Sequence, residues 1–322
     1  MQRRNFILAA GAAAATVAAP WVHAQSQQPL RIVVGFAPGG GTDILARIIS
    51  QKLSDMWKVP VVVENKSGAA GVIAADYVSK QAPDGNTVLM AHINSHGISP
   101  GLQPNMPYNA ERDFTPLVLV GVTPNLLICN ENQIKSVKGM IEACKKNPNK
   151  ISFGSAGIGS SQHLCCELFK LRAGVEALHI PYKGSAPMLV DLIAGQINYS
   201  FDTMTAATPH VKSGKAIALA QTRTRRSKAY PNVPTMDESG FPGFDATTWY
   251  GLVGPAKLPA AFVKRLNEDV NRIMAMPDVV AKLEQNGAED GGGSPEKFGE
   301  FMHNERVKWA KVIKDAKVTP EG

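Results

Sequence analysis

Two glycine-rich segments carry the residue types that could hold a ligand. The first is Gly35-Phe36-Ala37-Pro38-Gly39-Gly40-Gly41-Thr42-Asp43, and the second is Phe153-Gly154-Ser155-Ala156-Gly157-Ile158-Gly159-Ser160-Ser161-Gln162-His163. In each, a strand-like apolar run enters a Gly/Ser turn and then a helical pattern. Glycine tolerates positive φ and lets backbone N–H groups approach a ligand closely. The N-terminus of the following helix adds partial positive charge. The combination is an anion site that needs no basic side chain. Ser155 and Ser160 add hydroxyl donors. His163 falls in the first turn of the second helix, where it either reaches a ligand or serves as a surface or capping residue. Thr42 or Asp43 is expected to cap the first helix. One glycine-rich turn is equally a plain tight turn; two, in matching places of two halves, strengthen the anion reading.

Other chemistries lack their signatures. Neither loop continues into Gly-Lys-Ser/Thr, so a phosphate-binding P-loop is excluded, and the first turn is not G-x-G-x-x-G. There is no G-x-S-x-G elbow, no H-E-x-x-H and no zinc-type cysteine spacing. No catalytic residue, metal ligand or cofactor is therefore expected, and the chain is not read as an enzyme.

The elements that must position the loops follow from hydrophobic periodicity. Residues 31–36 read as a buried strand, and 42–58 as a helix with Ile44, Leu45, Ile48, Ile49 and Leu53 on one face. A strand over 59–64, a helix over 70–80 and a strand over 86–91 complete β-α-β-α-β, whose crossovers imply parallel pairing. The alternation then repeats. Helices are expected over 136–146, 161–172 and 185–194, the last capped by Ser185 with Gly195 past its end. Strands are expected over 151–154, 177–182, 197–201 and 216–221, and helices over 259–276, 277–286 and 295–316. Both loops then lie at carboxyl ends of parallel strands, where open α/β sheets bind ligands. The long apolar stretches 117–129 and 244–254 read as two crossings between lobes, the plan of a hinged two-lobe binder. Lobe 1 is expected over residues 25–124 and 247–322, with lobe 2, residues 125–246, inserted into it.

The amino terminus, MQRRNFILAAGAAAATVAAPWVHAQ, reads as an export signal over residues 1–24. Arg3 and Arg4 precede an apolar stretch, and Val22-His23-Ala24 offers a cleavage site ending at Ala24. Arg3-Arg4-Asn5-Phe6-Ile7 also fits a twin-arginine signal, though Gln2 is imperfect there. The apolar stretch is shorter than the roughly 20 residues a membrane span needs. The expected location is the periplasm.

With 34 basic and 27 acidic residues the formal charge is +7, of which the signal carries two. The basic residues are dispersed, and the short run Arg223, Arg225, Arg226, Lys228 reads as a solvated linker. No nucleic-acid reading motif accompanies it. Cys129, Cys144, Cys165 and Cys166 read as small buried residues. A Cys129–Cys144 bridge is the alternative in an oxidising compartment.

GFAPGGGTD, FGSAGIGSSQHL, PYKGSAPMLVDLIAGQINYSFD, GKAIALAQTRTRRSKAYPNVPTMDESGFPGF and TTWYGLVGPAKLP stand in this order. In these motifs, and over essentially all of the chain beyond the signal, the sequence resembles the Bug/TctC family, the binding subunits of tripartite tricarboxylate transporters. The resemblance implies an α/β type II periplasmic-binding fold of two lobes with parallel-rich sheets and two crossing strands as hinge, without a cofactor. It implies a monomer that captures a small carboxylate, whether an organic acid, an aromatic acid or an acidic amino acid, for the membrane subunits of such a transporter; a sensor partner is the alternative. No nucleic-acid partner is implied. It assigns ligand contacts to Phe36, Ala37, Gly40, Gly41, Thr42 and Asp43, and to Ser155, Ala156, Gly159, Ser160 and His163. Lys183, Gly184 and Asp202 match further cleft positions; Lys183 reads equally as a surface lysine and Asp202 as a helix cap. Asn94 and Ser95 would meet the variable end of the ligand. Asn198 departs from an acid often found in the family, and His92 and His96 are less typical residues that bear on specificity.

Overall fold

The computed structural model describes residues 29–320; the export signal expected over residues 1–24 lies outside them. The elements are β1 (Leu30–Val34), α1 (Gly41–Trp57), β2 (Val61–Asn65), α2 (Val72–Ser79), β3 (Thr87–His92), α3 (Ser99–Leu102), β4 (Phe114–Thr123) and β5 (Asn125–Cys129). They continue with α4 (Val137–Lys146), β6 (Ser152–Ser155), α5 (Ser161–Ala173), β7 (Leu178–Pro181), α6 (Ser185–Ile193), β8 (Tyr199–Thr203), α7 (Met204–Lys212) and β9 (Ile217–Gln221). The chain closes with β10 (Thr248–Pro255), α8 (Ala260–Met274), α9 (Pro277–Gln285) and α10 (Pro295–Asp315).

Two five-stranded sheets organise these elements, in the orders β2-β1-β3-β10-β4 and β7-β6-β8-β5-β9. β1 pairs parallel with β2 and β3, and β6 pairs parallel with β7 and β8. Each sheet is mixed, because β10 runs antiparallel to β3 and β4, and β5 runs antiparallel to β8 and β9. This is the α/β architecture of two lobes. The apolar stretch 117–129 is divided at Pro124: β4 belongs to the first sheet and β5 to the second. Proline has no N–H for a ladder bond and so ends one strand before the next begins. The chain returns to the first sheet as β10, whose eight residues are all buried.

The helices follow their patterns. α1 buries Leu45, Ala46, Ile49 and Leu53 and ends at Lys58 in the left-handed region, φ 56°. α5 ends at Gly174, φ 60°, where glycine carries no Cβ penalty. Two elements lie where the pattern indicated none. One is a wide turn over Asn94–Ile98 that leads into α3. The other is α7, whose Thr- and Ala-rich sequence contains Pro209 and shows little amphipathic contrast.

Three local expectations are corrected. α1 begins at Gly41 behind Gly40, so neither Thr42 nor Asp43 is its cap. Gly184, not Ser185, is the N-cap of α6, which frees the Ser185 hydroxyl for Asp202 Oδ1 at 2.7 Å. The basic run is not a solvated linker but a seam of ion pairs. Arg223 pairs with Glu289 at 3.1 Å and with Asp290, Arg225 also meets Asp290, and Lys228 pairs with Glu284 at 2.6 Å. The acids lie in and just after α9, beside β4, while the bases follow β9, so the seam ties the two lobes together. All four cysteines are free and buried. Burial pushes the Cys165 and Cys166 thiols well up, so they stay protonated.

Candidate functional site

The first loop is shaped by one carboxylate. Asp43 Oδ2 accepts from Gly39 N–H at 2.9 Å and from Arg47 Nε at 2.8 Å. Its Oδ1 accepts from Arg47 Nη2 at 3.0 Å and Asn65 Nδ2 at 2.9 Å, and Asn65 Nδ2 also reaches Phe36 O at 2.9 Å. Burial alone would raise the Asp43 pKa; the bonds from Arg47, Gly39 and Asn65 outweigh it and hold the carboxylate below its ordinary value. Asp43 thus braces the turn from behind. Gly40 has no side chain to offer, so the first-turn N–H groups of α1 receive no side-chain cap. A helix N-terminus in that state is disposed toward an anion. Ala37 and Gly40 are exposed, while Thr42 is buried.

The second loop is braced by imidazoles. Ser160 caps α5, its Oγ accepting from His163 N–H at 3.2 Å. His163 Nδ1 accepts from Gly159 N–H at 3.1 Å, and its Nε2 lies 3.6 Å from Glu167. Both ring nitrogens therefore face the loop and its helix. The ring stacks on His179, centroids 3.8 Å apart and planes 9° apart. His179 Nε2 is 2.6 Å from Ser155 Oγ, which also accepts from Gly157 N–H at 3.1 Å. Ala156 lies partly exposed between them.

A third group joins at the end of β8. Asp202 Oδ1 accepts from Ser185 Oγ, Gln162 Nε2 at 3.1 Å and Thr203 N–H at 2.8 Å. This ties the N-termini of α5 and α6 to β8. Asp202 Oδ2 is buried without a partner among the described residues. Burial raises the Asp202 pKa against the pull of those bonds. Lys183 is exposed in the turn before Gly184, whose φ of 110° demands glycine.

The helix N-termini behind both loops lie against the start of β10. Thr248 and Tyr250, two residues apart, project to one face of the strand. Thr248 Oγ1 lies 3.2 Å from Ser161 Oγ, at the N-terminus of α5. The Tyr250 hydroxyl lies at the N-terminus of α1, where a Cβ on Gly41 would come within 2.9 Å of it and 3.5 Å of Thr205. Gly159 abuts Leu102 in the same way, 2.4 Å from a hypothetical Cβ. Lobe 1 also brings Asn94 and Ser95, both buried in the turn after β3; the Ser95 carbonyl accepts from Tyr108 Oη at 2.6 Å. Sequence reasoning missed Thr248, Tyr250, Asn65 and His179. The alternation within TTWYGLV was the available signal for the first two; the others are local braces with no spacing signature.

A family model described as tripartite tricarboxylate transporter family receptor matches residues 45–318. The chain is similar to BugT of Bordetella pertussis, at 35% identity over 312 residues, which cover 96% of this chain and 94% of that one. Among solved structures it resembles R. palustris Rpa4515 with adipate, TM-score 0.86 and 35% identity, covering 92% of this chain and 99% of that one. It also resembles MatC of Rhodopseudomonas palustris with bound malate, TM-score 0.81 and 31% identity, covering 89% and 99%.

Proposed function

The chain belongs to the tripartite tricarboxylate transporter receptor family (TctC), whose members bind solutes, and from that premise we propose that it captures a small carboxylate in the periplasm for the membrane subunits of such a transporter. The observation that carries the reading is the convergence of two helix N-termini, at Gly41 and Ser161, on Tyr250 and Thr248 of one strand. Partial positive charge from both helices favours one negative group between them. The carboxylate is held by backbone N–H groups and by the Ser160 hydroxyl, while Asp43, His163 and His179 keep the loops in shape. Lys183 and Gly184 stand at the rim, and Asn94 and Ser95 at the far end. Adipate and malate, the ligands of two similar proteins, are both dicarboxylates. A hinge at Pro124 and at the chain leading into β10 lets the lobes close on the ligand.

A thermal-shift screen of mono-, di- and tricarboxylates, aromatic acids and acidic amino acids tests the reading. A ligand at 100 times its Kd adds about 2.7 kcal/mol of stability. A screen in which no carboxylate raises the Tm sinks it.

A further inference from the structure

β3 ends at His92, directly opposite Tyr250 in the antiparallel register with β10. Its ring stands edge-on to two aromatic neighbours, Phe36 at 4.7 Å and Tyr250 at 5.2 Å. Phe36 belongs to the first glycine-rich loop, and the Tyr250 hydroxyl marks the N-terminus of α1. His92 therefore sits beside the carboxylate subsite, one strand further along the edge of the first sheet. Its tautomer is fixed by the backbone: Nδ1 accepts from Asn94 N–H at 3.1 Å. A neutral imidazole with an accepting Nδ1 carries its proton on Nε2. Burial pushes the His92 pKa down to about 3, which keeps the ring neutral. Nε2 meets no hydrogen-bond partner among the described residues, and it is not among their sealed, unpartnered polar atoms. A donor fixed in direction, unspent, and flanked by two rings is a recognition element.

We infer that His92 is the specificity-determining residue of the cleft, its Nε2–H donating to an oxygen acceptor at the end of the ligand remote from the carboxylate on the helix N-termini. The inference rests on the carboxylate reading above and narrows it. The ligand class is a small acid whose far end carries an oxygen acceptor, as in a dicarboxylate, an oxo acid or a hydroxy acid. A ligand ending in a methyl group leaves the Nε2–H unpaired. One ending in ammonium meets a donor with a donor.

Three six-carbon probes differ only at the far end: adipate, hexanoate and 6-aminohexanoate. Calorimetric titration of the wild-type protein is expected to rank adipate first and 6-aminohexanoate last. His92→Phe keeps a ring and removes the donor; His92→Gln keeps an amide N–H at similar reach. In His92→Phe, adipate affinity should fall about tenfold more than hexanoate affinity, the scale of one unpaired buried donor. His92→Gln should retain most of the preference for adipate. Equal binding of the three probes by the wild type leaves the carboxylate reading standing and overturns the inference alone, as does an undiminished adipate preference in His92→Phe. Failure of all three to bind folded wild-type protein overturns the inference, and the carboxylate reading falls with it only if no acid in the wider thermal-shift screen binds.

Discussion

Ser155 Oγ and His179 Nε2 lie 2.6 Å apart, and His179 stacks on the His163 ring that accepts the Gly159 N–H. Two histidines thus fix both ends of the second glycine-rich loop. Ser155 is completely buried, so its hydroxyl acts by holding the loop as much as by reaching a ligand. Ser155→Ala and Ser160→Ala are each expected to weaken adipate binding. Ser160→Ala also removes the α5 cap and should cost about 1 kcal/mol of stability in urea denaturation. Unchanged affinity in both variants would remove the second loop from the site.

Asp43→Ala leaves the Gly39 N–H, Asn65 and Arg47 without their shared acceptor. Bonds to a charged acceptor are worth about 1.5–3 kcal/mol each at most, and Arg47 is half exposed and re-solvates. We expect a stability loss of about 2 kcal/mol and weaker adipate binding. Asp43→Ala protein with wild-type Tm and affinity would show that the brace does not shape the loop.

The strand-helix alternation and the two glycine-rich loops were legible because β1 and β3 are short apolar runs buried almost throughout, α1 carries an apolar stripe, and glycine marks the turns between them. α7 was not, because Thr, Ala and Pro209 give no amphipathic stripe and its place is set by packing on β8. The caps missed by one residue at α6 and by two or three at α1: Gly184 precedes Ser185, whose hydroxyl is engaged by Asp202, and Gly40 precedes Thr42 and Asp43, whose carboxylate is engaged by Arg47 and Asn65. The seam was hidden for a different reason. Arg223 and Glu289 are 66 residues apart, and only the return of the chain through β10 brings them together.

Arg223 and Glu289 are both nearly buried, with side-chain exposures of 9% and 5%. Removing one partner leaves the other with fewer contacts, since Arg223 keeps Asp290 and Glu289 keeps Arg225 and the Lys228 N–H; the cost is about 2 kcal/mol, below that of a fully stranded buried charge. Arg223→Ala and Glu289→Ala should each destabilise by about that amount, and the double variant by less than their sum. Strict additivity in urea denaturation would mean that the pair does not couple the lobes.

His92 and His96 are buried, and burial pushes both down to about 3 from an ordinary 6.5. The unfolded chain therefore takes up protons below pH 6.5 that the folded chain refuses. The stability these groups contribute is complete above that pH and is lost as pH falls toward 3, at up to about 1.4 kcal/mol per pH unit for each ring. His96 packs against Tyr108 and Phe114, and its Nε2 is sealed without a partner. His96→Phe should therefore flatten the fall between pH 6 and 4 by about one proton. An unaltered slope would mean that His96 is protonated in the folded protein.

The central claim is that one carboxylate sits between the N-termini of α1 and α5. Gly41→Ala tests it most directly. Gly41 has no positive φ, so the backbone tolerates alanine, yet the new methyl would fall 2.9 Å from the Tyr250 hydroxyl, where the two lobes meet. Overpacking of this kind costs about 1–3 kcal/mol. Calorimetry should show adipate binding to the wild type and at least about tenfold weaker binding to folded Gly41→Ala. Equal affinity of the two proteins would contradict the account.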